Sequence, residues 1–269
     1  MTYPFLKGHG TENDFVLLPD HDGSIHGDLS AERVRALCDR RAGIGADGVL
    51  RVVRSENPDP AVEWFMDYRN SDGSISEMCG NGVRAFARHL LDEGLVDTTA
   101  PIHVDTRAGV KVVTQTEDGL LTVDMGEPKV FGQSEISVGA ETWTALHVDM
   151  GNPHAVLFVD DLADAGDLLT PPVHDERVYP HGVNVEFVVE KGKRHVGMRV
   201  HERGSGETRS CGTGACAVAI TAMLADDAPR GTTYRVDLPG GRLDITWTAD
   251  NHILMTGPAV VVAKGETDL

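Results

Sequence analysis

Apolar residues recur at two different periods along the chain, and the two periods predict a few helices set among many strands. Val83, Ala87, Leu90 and Leu91 fall at helical spacing and Gly94 follows as a C-cap, so a helix is expected to begin close to the turn Cys79-Gly80-Asn81-Gly82. Ser30 as N-cap, with Val34, Leu37 and Cys38 on one face, predicts another helix over 30–40. The stretch after Cys211 is apolar nearly all round (Ala215, Cys216, Ala217, Val218, Ala219, Ile220), which marks a buried helix. Cys38 and Cys216 then read as packing residues. Alternation of period two marks the strands. Residues 4–14 read as a polar, glycine-bearing loop feeding a strand from Phe15 to Leu18, and GIGADGVLRVV as a glycine loop feeding another. IHVDT, VKVVTQT and LLTVDMG suggest an antiparallel meander. Further strands are expected around 136–148, at 182–190, before Glu202, and in RVDLPGGRLDITWT and HILMTGPAVVVAKG. The acidic, proline-bearing stretch 157–181 reads as a short helix and a surface loop.

The cysteine turn occurs twice. Cys79-Gly80-Asn81-Gly82-VRAFA recurs about half a chain length later as Cys211-Gly212-Thr213-Gly214-ACAVA, the shared pattern CGxGxxAxA. Such an offset points to two homologous halves with a boundary near Asp124, each offering one cysteine at the start of one helix. A helix N-terminus presents unsatisfied N–H groups and the positive end of the dipole, which favour a thiolate and can hold a carboxylate. Two such thiols suit a reaction in which one takes a proton from a carbon while the other delivers a proton to its opposite face.

Composition narrows the partners. The 269 residues are 41% hydrophobic, enough for real cores, and no apolar run approaches the roughly 20 residues that cross a bilayer. Residues 1–7 are too short and weakly apolar for a signal peptide, so a cytoplasmic protein is the expectation. A net charge of −18, from 42 acidic and 24 basic residues, argues against nucleic acid or anionic membrane as a partner. The four cysteines show no CxxC spacing, no Walker lysine occurs, and GIGADG, although it spells GxGxxG, leads into a strand and does not open a helix, so zinc, thioredoxin-like and nucleotide sites have little support. Other polar residues admit two readings. Asn13 and Asp14 form either an Asx turn or part of a site. Asn152 and His154 flank Pro153, and a turn histidine is either structural or a proton carrier near neutral pH. Asn184 enters a strand, and the adjacent Glu202 and Arg203 read equally as an exposed, ion-bearing loop.

GHGTENDF, CDRRAGIGADG, YRNSDGSISEMCGNG, GNPHAV, GVNVEF and ERGSGETRSCGTGA occur in this order, and together they resemble the diaminopimelate epimerase family from residue 7 to about 240. The resemblance implies an α/β protein of α+β type. Its two pseudo-symmetric domains would each wrap mixed, largely antiparallel strands around a central helix, with the C-terminal strand returning to the first domain. On that basis the domains are 1–124 with 258–269, and 125–257. It further implies epimerisation of LL- to meso-2,6-diaminopimelate without pyridoxal phosphate, other cofactor or metal, in lysine and peptidoglycan precursor synthesis, by a cytoplasmic homodimer. The family's catalytic cysteines fall on Cys79 and Cys211, and its substrate-binding positions on Asn13, Asn70, Asn152, Asn184, Glu202 and Arg203. The turns Gly80-Asn81 and Gly212-Thr213 supply N–H groups to the reacting carboxylate, with His154 and Glu202 near the reacting centre. One departure is Gly48, where some members carry glutamine, which puts a side-chain contact there in doubt. Two alternatives stand beside this reading: another cofactor-independent racemase of the same architecture, such as a proline racemase-like enzyme, and a redox-sensing or ligand-binding protein that uses the same cysteine pair.

Overall fold

A computed structural model describes residues 2–269. Its contacts divide the chain into two compact units, one running to Val123 and taking in Gly257–Leu269, the other Asp124–Thr256. The first contains β1 (Tyr3–Gly10), β2 (Asn13–Pro19), α1 (Ala31–Cys38), β3 (Gly48–Arg54), β4 (Trp64–Asn70), α2 (Gly80–Asp92), β5 (Ile102–Asp105), β6 (Lys111–Gln115) and β7 (Leu121–Asp124). The second contains β8 (Lys129–Val138), β9 (Glu141–Asp149), β10 (Pro153–Phe158), a 3-10 turn at Leu162–Ala165, β11 (Val173–His174), β12 (Asn184–Gly192) and β13 (His195–Glu202). It continues through β14 (Gly206–Glu207), α3 (Gly212–Ala225), β15 (Thr233–Leu238), β16 (Gly241–Trp247) and β17 (Ile253–Gly257). The last strand, β18 (Val260–Thr267), pairs antiparallel with β1.

The two units share one topology. In the first, strands run β18-β1-β2-β3-β4-β5-β6-β7, with β2–β3 and β4–β5 parallel and the joins β18–β1, β1–β2, β3–β4, β5–β6 and β6–β7 antiparallel. In the second, β8-β9-β10-β12-β13-β15-β16-β17 repeats that order of senses, with β10–β12 and β13–β15 parallel. The cysteine helix occupies the equivalent place in each: α2 joins parallel β4 to β5, and α3 joins parallel β13 to β15.

Each helix is the centre of its unit. α2 touches β18 and every strand from β1 to β6. A flat sheet that wide spans about 30 Å at about 4.8 Å per strand, whereas a helix is only about 10–12 Å across, so the sheet must curl around it. Val83, Phe86, Ala87 and Leu90 are wholly buried there, each large side chain contributing roughly 1.5–3 kcal/mol of transfer free energy. α3 meets β9, β10, β12, β13, β15 and β16 and is buried from Ala215 to Met223, as its all-apolar surface requires.

The region 4–14 differs from expectation: it is mostly strand. Tyr3–Gly10 is held on both edges, by β2 and by β18, so its polar residues sit in a ladder rather than a loop. The connection is a two-residue turn at Thr11 and Glu12, both left-handed (φ 51° and 62°), in the conformation hairpins usually give to Asn-Gly. For a β-branched threonine that conformation is costly, and contacts to Thr11 made from α2 hold it in place.

Candidate active site

The first unit builds its half-site on the N-terminus of α2. Cys79 is the N-cap, in extended conformation (φ −143°, ψ 120°), so its thiol stands at the end where the first-turn N–H groups of Gly80, Asn81 and Gly82 lack helical acceptors. Its Sγ lies 3.5 Å from Asn13 Oδ1, and Asn81 Nδ2 donates to the same oxygen at 3.3 Å. The other end of Asn13 is anchored: Nδ2 donates to Asp47 Oδ2 at 2.8 Å, and the Asp14 amide donates to that oxygen at 3.1 Å. Arg40 bridges Asp14 and Asp47 at 2.7 Å each. Burial opposes ionisation of Asp14, but hydrogen bonds from Arg40 and Lys7 outweigh it and hold the carboxyl well below the usual range. Beneath the helix end, the fully buried Arg84 donates to Asn81 Oδ1 at 2.8 Å and to Thr11 Oγ1 at 3.3 Å, which ties the strained turn to the cysteine helix.

Asn13 is therefore a strand residue oriented by a carboxylate, and the Asx-turn alternative fails for it and for Asp14. Asn70 ends β4 and donates to Ser74 Oγ at 3.0 Å. Gly48 opens β3, where a Cβ would come within 2.6 Å of Arg69 O and 2.7 Å of the Tyr68 ring. This backbone path leaves no room for a side chain there.

The second unit builds the counterpart on α3. Cys211 is again an extended N-cap (φ −116°, ψ 113°), with Sγ accepting from Gly214 N at 3.4 Å and lying 3.6 Å from Thr213 Oγ1. Gly212 and Thr213 form the first turn of the helix. The surroundings are acidic. Burial foremost, then the carboxylates of Glu202 and Glu186, push the Cys211 thiol well above its ordinary range. Burial likewise pushes the Glu202 carboxyl up, opposed by hydrogen bonds from Thr208 and Cys211. His154 is not a turn histidine: it is wholly buried in β10, with Nδ1 2.6 Å from Glu186 Oε1 and Nε2 3.1 Å from Asn152 Oδ1. Asn184 opens β12, donating to Pro153 O at 3.2 Å and accepting from Arg203 N at 2.9 Å. It thus ties the turn of Asn152 to the segment after β13. Glu202 closes β13, half-buried and bonded to Thr208, rather than lying in an exposed ion-bearing loop; Arg203 beside it is exposed and donates to His181 O at 3.0 Å.

Each half-site thus joins a thiol at a helix end with anchored amides and N–H groups, an arrangement able to hold a carboxylate and to exchange a proton with the atom beside it. Neither Asp47 nor Glu186 was named from the sequence. Glu186 had a readable signal, a carboxylate in the middle of the apolar strand VNVEFVV. Cys38 and Cys216 are core residues, and burial pushes the Cys38 thiol up to about 11. Among the described residues, all four cysteines carry thiols, no group of three or more His, Cys, Asp or Glu side chains gathers as a metal holder, and no helix is long and apolar enough to cross a membrane.

Comparison with known proteins places this architecture. The family model described as diaminopimelate epimerase matches residues 5–131 and 146–262. The chain is 58% identical over 277 residues to the diaminopimelate epimerase of Streptomyces coelicolor, covering 98% of this chain and 95% of that one. It is 48% identical over 281 residues to that of Corynebacterium glutamicum, covering 100% and 99%. Among solved structures it resembles a phenazine biosynthesis protein of the PhzF family from Bacillus anthracis, with a TM-score of 0.75 at 17% identity and 100% of both chains covered, a likeness of fold.

Proposed function

The chain belongs to the diaminopimelate epimerase family, and from that premise we propose that it interconverts LL- and meso-2,6-diaminopimelate by a two-base reaction between Cys79 and Cys211. The observation that carries the proposal is the repetition of one device: in each unit an extended cysteine caps the helix that joins two parallel strands. One sulfur, as thiolate, takes the α-proton; the other, as thiol, gives its proton to the opposite face, so that the reverse direction begins with the roles exchanged. Negative charge builds on the substrate carboxylate as the α-proton leaves, and the first-turn N–H groups of α2 and α3 are suited to stabilise it. Asn13, Asn81 and Thr213 beside the sulfurs, with Asn70, Asn152, Asn184, Glu202 and Arg203, are the proposed substrate-binding groups. His154 and Glu202 govern the charge around Cys211.

A bifunctional substrate with a second amino acid end suits this polar set, because a ligand lacking that end would leave buried polar groups without partners. A cytoplasmic setting and a homodimer belong to the same reading; light scattering tests the dimer. The direct test of the function is incubation of the purified chain with LL-diaminopimelate, followed by chiral separation. Appearance of the meso isomer supports the proposal. Its absence, with turnover of proline or hydroxyproline instead, would move the chain to another racemase activity.

A further inference from the structure

Glu186 is the third residue of β12, is 0% exposed, and one of its carboxyl oxygens, Oε2, has no hydrogen-bond partner among the described residues. A buried polar atom left in that state is costly, and native structures keep few of them. The other oxygen, Oε1, is held 2.6 Å from His154 Nδ1. It also lies against the first turn of α3: a Cβ built on Gly214 would stand 2.8 Å from Glu186 Oε1 and 3.3 Å from Cys211 Sγ, so the carboxylate and the thiol flank the one point where a side chain is missing.

We propose that Glu186 is a positioning residue of the Cys211 half-site. Its carboxylate, anchored by His154 and admitted beside the sulfur by the missing side chain of Gly214, favours the proton on Cys211 in the unliganded enzyme without preventing the exchange of roles during turnover. The inference rests on the two-thiol reading and extends it to a residue outside the substrate-binding set. A negative charge close to a thiol disfavours the thiolate, the more so where water is excluded. The charged and titratable groups facing Cys211 within its unit are Glu186 from β12, Glu202 from β13 and His154 from β10; Arg203 and Arg209 follow β13 and direct their guanidinium groups to the carbonyls of His181 and Pro239. The direction given for the Cys211 thiol, upward from burial and from both carboxylates, agrees with this role.

The test is the pH profile of kcat/KM for epimerisation. Its alkaline limb reports loss of the proton from the acid of the pair in the unliganded enzyme. Glu186→Gln keeps the shape and a hydrogen bond to His154 but removes the charge, and should move the alkaline limb down by about one pH unit or more. Glu186→Met should move it likewise, and Glu186→Asp, which keeps the charge, should leave it within about 0.3 of a unit of wild type. As a second readout, the rate of Cys211 alkylation by iodoacetamide, followed by peptide mapping, should rise at a correspondingly lower pH in Glu186→Gln. An unmoved limb and an unmoved alkylation profile in folded Glu186→Gln and Glu186→Met would overturn the inference. Failure of the underlying reading is distinguishable, since it would appear as epimerase activity retained in Cys211→Ala, or as none in the wild type.

Discussion

His89 offers a quantitative test of how the first cysteine helix is held. It lies in the last turn of α2, is 2% exposed, and neither of its ring nitrogens has a hydrogen-bond partner among the described residues. Burial, only partly offset by the charge of Glu93, pulls its pKa from 6.5 down to about 4. The unfolded chain therefore binds the proton more readily than the folded one, and stability rises with pH between these values. The stabilisation is complete above about 6.5 and is lost as pH falls toward 4. Integrating the linkage between pH 7 and pH 4.5 gives a loss of about 2 kcal/mol from this one residue. His89→Leu removes both the titration and the two unpartnered ring nitrogens. The variant should match or exceed wild-type stability at pH 7, and its advantage should grow by about 2 kcal/mol at pH 4.5, or about 5–8 °C in the melting of the unit that holds α2. Calorimetry at both pH values is the assay. His26, whose pKa burial also lowers to about 4, keeps its own contribution, so the variant will retain some acid sensitivity. If wild type and His89→Leu lose the same stability between pH 7 and 4.5, the account of a neutral, buried His89 is wrong.

Other expectations bear on the half-sites. Gly214→Ala gains up to about 1 kcal/mol of helix propensity but drives a Cβ to 2.8 Å from a carboxylate pinned by His154, an overpacking cost of about 1–3 kcal/mol. It should lower the melting temperature and cut kcat/KM at least tenfold, and an active, stabilised variant would refute the close approach. Cys79→Ala and Cys211→Ala should each lose epimerisation by about a thousandfold or more. In deuterated water the wild type should place label in product well before it appears in recovered substrate, whereas unlabelled product at low conversion would exclude two bases. Asp47→Ala releases Asn13 Nδ2, and should raise KM by about tenfold while the fold persists; an unchanged KM would show that Asn13 needs no anchor.

Much of this architecture is legible in the residues because the signals are local. The α2 and α3 boundaries follow from glycine-rich turns and apolar spacing, and the strands from alternation. What escapes is set by partners distant in sequence. The hairpin of β1 and β2 has no Asn-Gly to announce it, and its Thr-Glu turn is held by Asn81 and Arg84, some seventy residues further on. His154 looked like a turn residue because Pro153 precedes it, yet proline is tolerated at the first position of a strand and the ring enters the core. Asp47 and Glu186 act by orienting other side chains, and no spacing rule reports such a role.

The repeat supplies two frames of one topology, and the differences between them bear on the proposed two-thiol reaction. At α2 the amide of Asn13 stands at the sulfur, accepts from Asn81 and is anchored on Asp47 within the Asp14, Arg40 and Lys7 network, while Arg84 bonds the oxygens of Asn81, Thr11 and Pro258. At α3 the same frame holds a histidine and two carboxylates, Glu186 and Glu202, close to the sulfur. A dipole of the same sign thus acts on both thiols, while the carboxylates at α3 oppose ionisation of Cys211. In the proposed two-thiol reaction, a pair with both sulfurs protonated could not start and a pair with both ionised could not finish. The carboxylates beside Cys211 favour the proton on that sulfur, so on the proposed reading replacing them should erode the singly protonated pair from the alkaline side first.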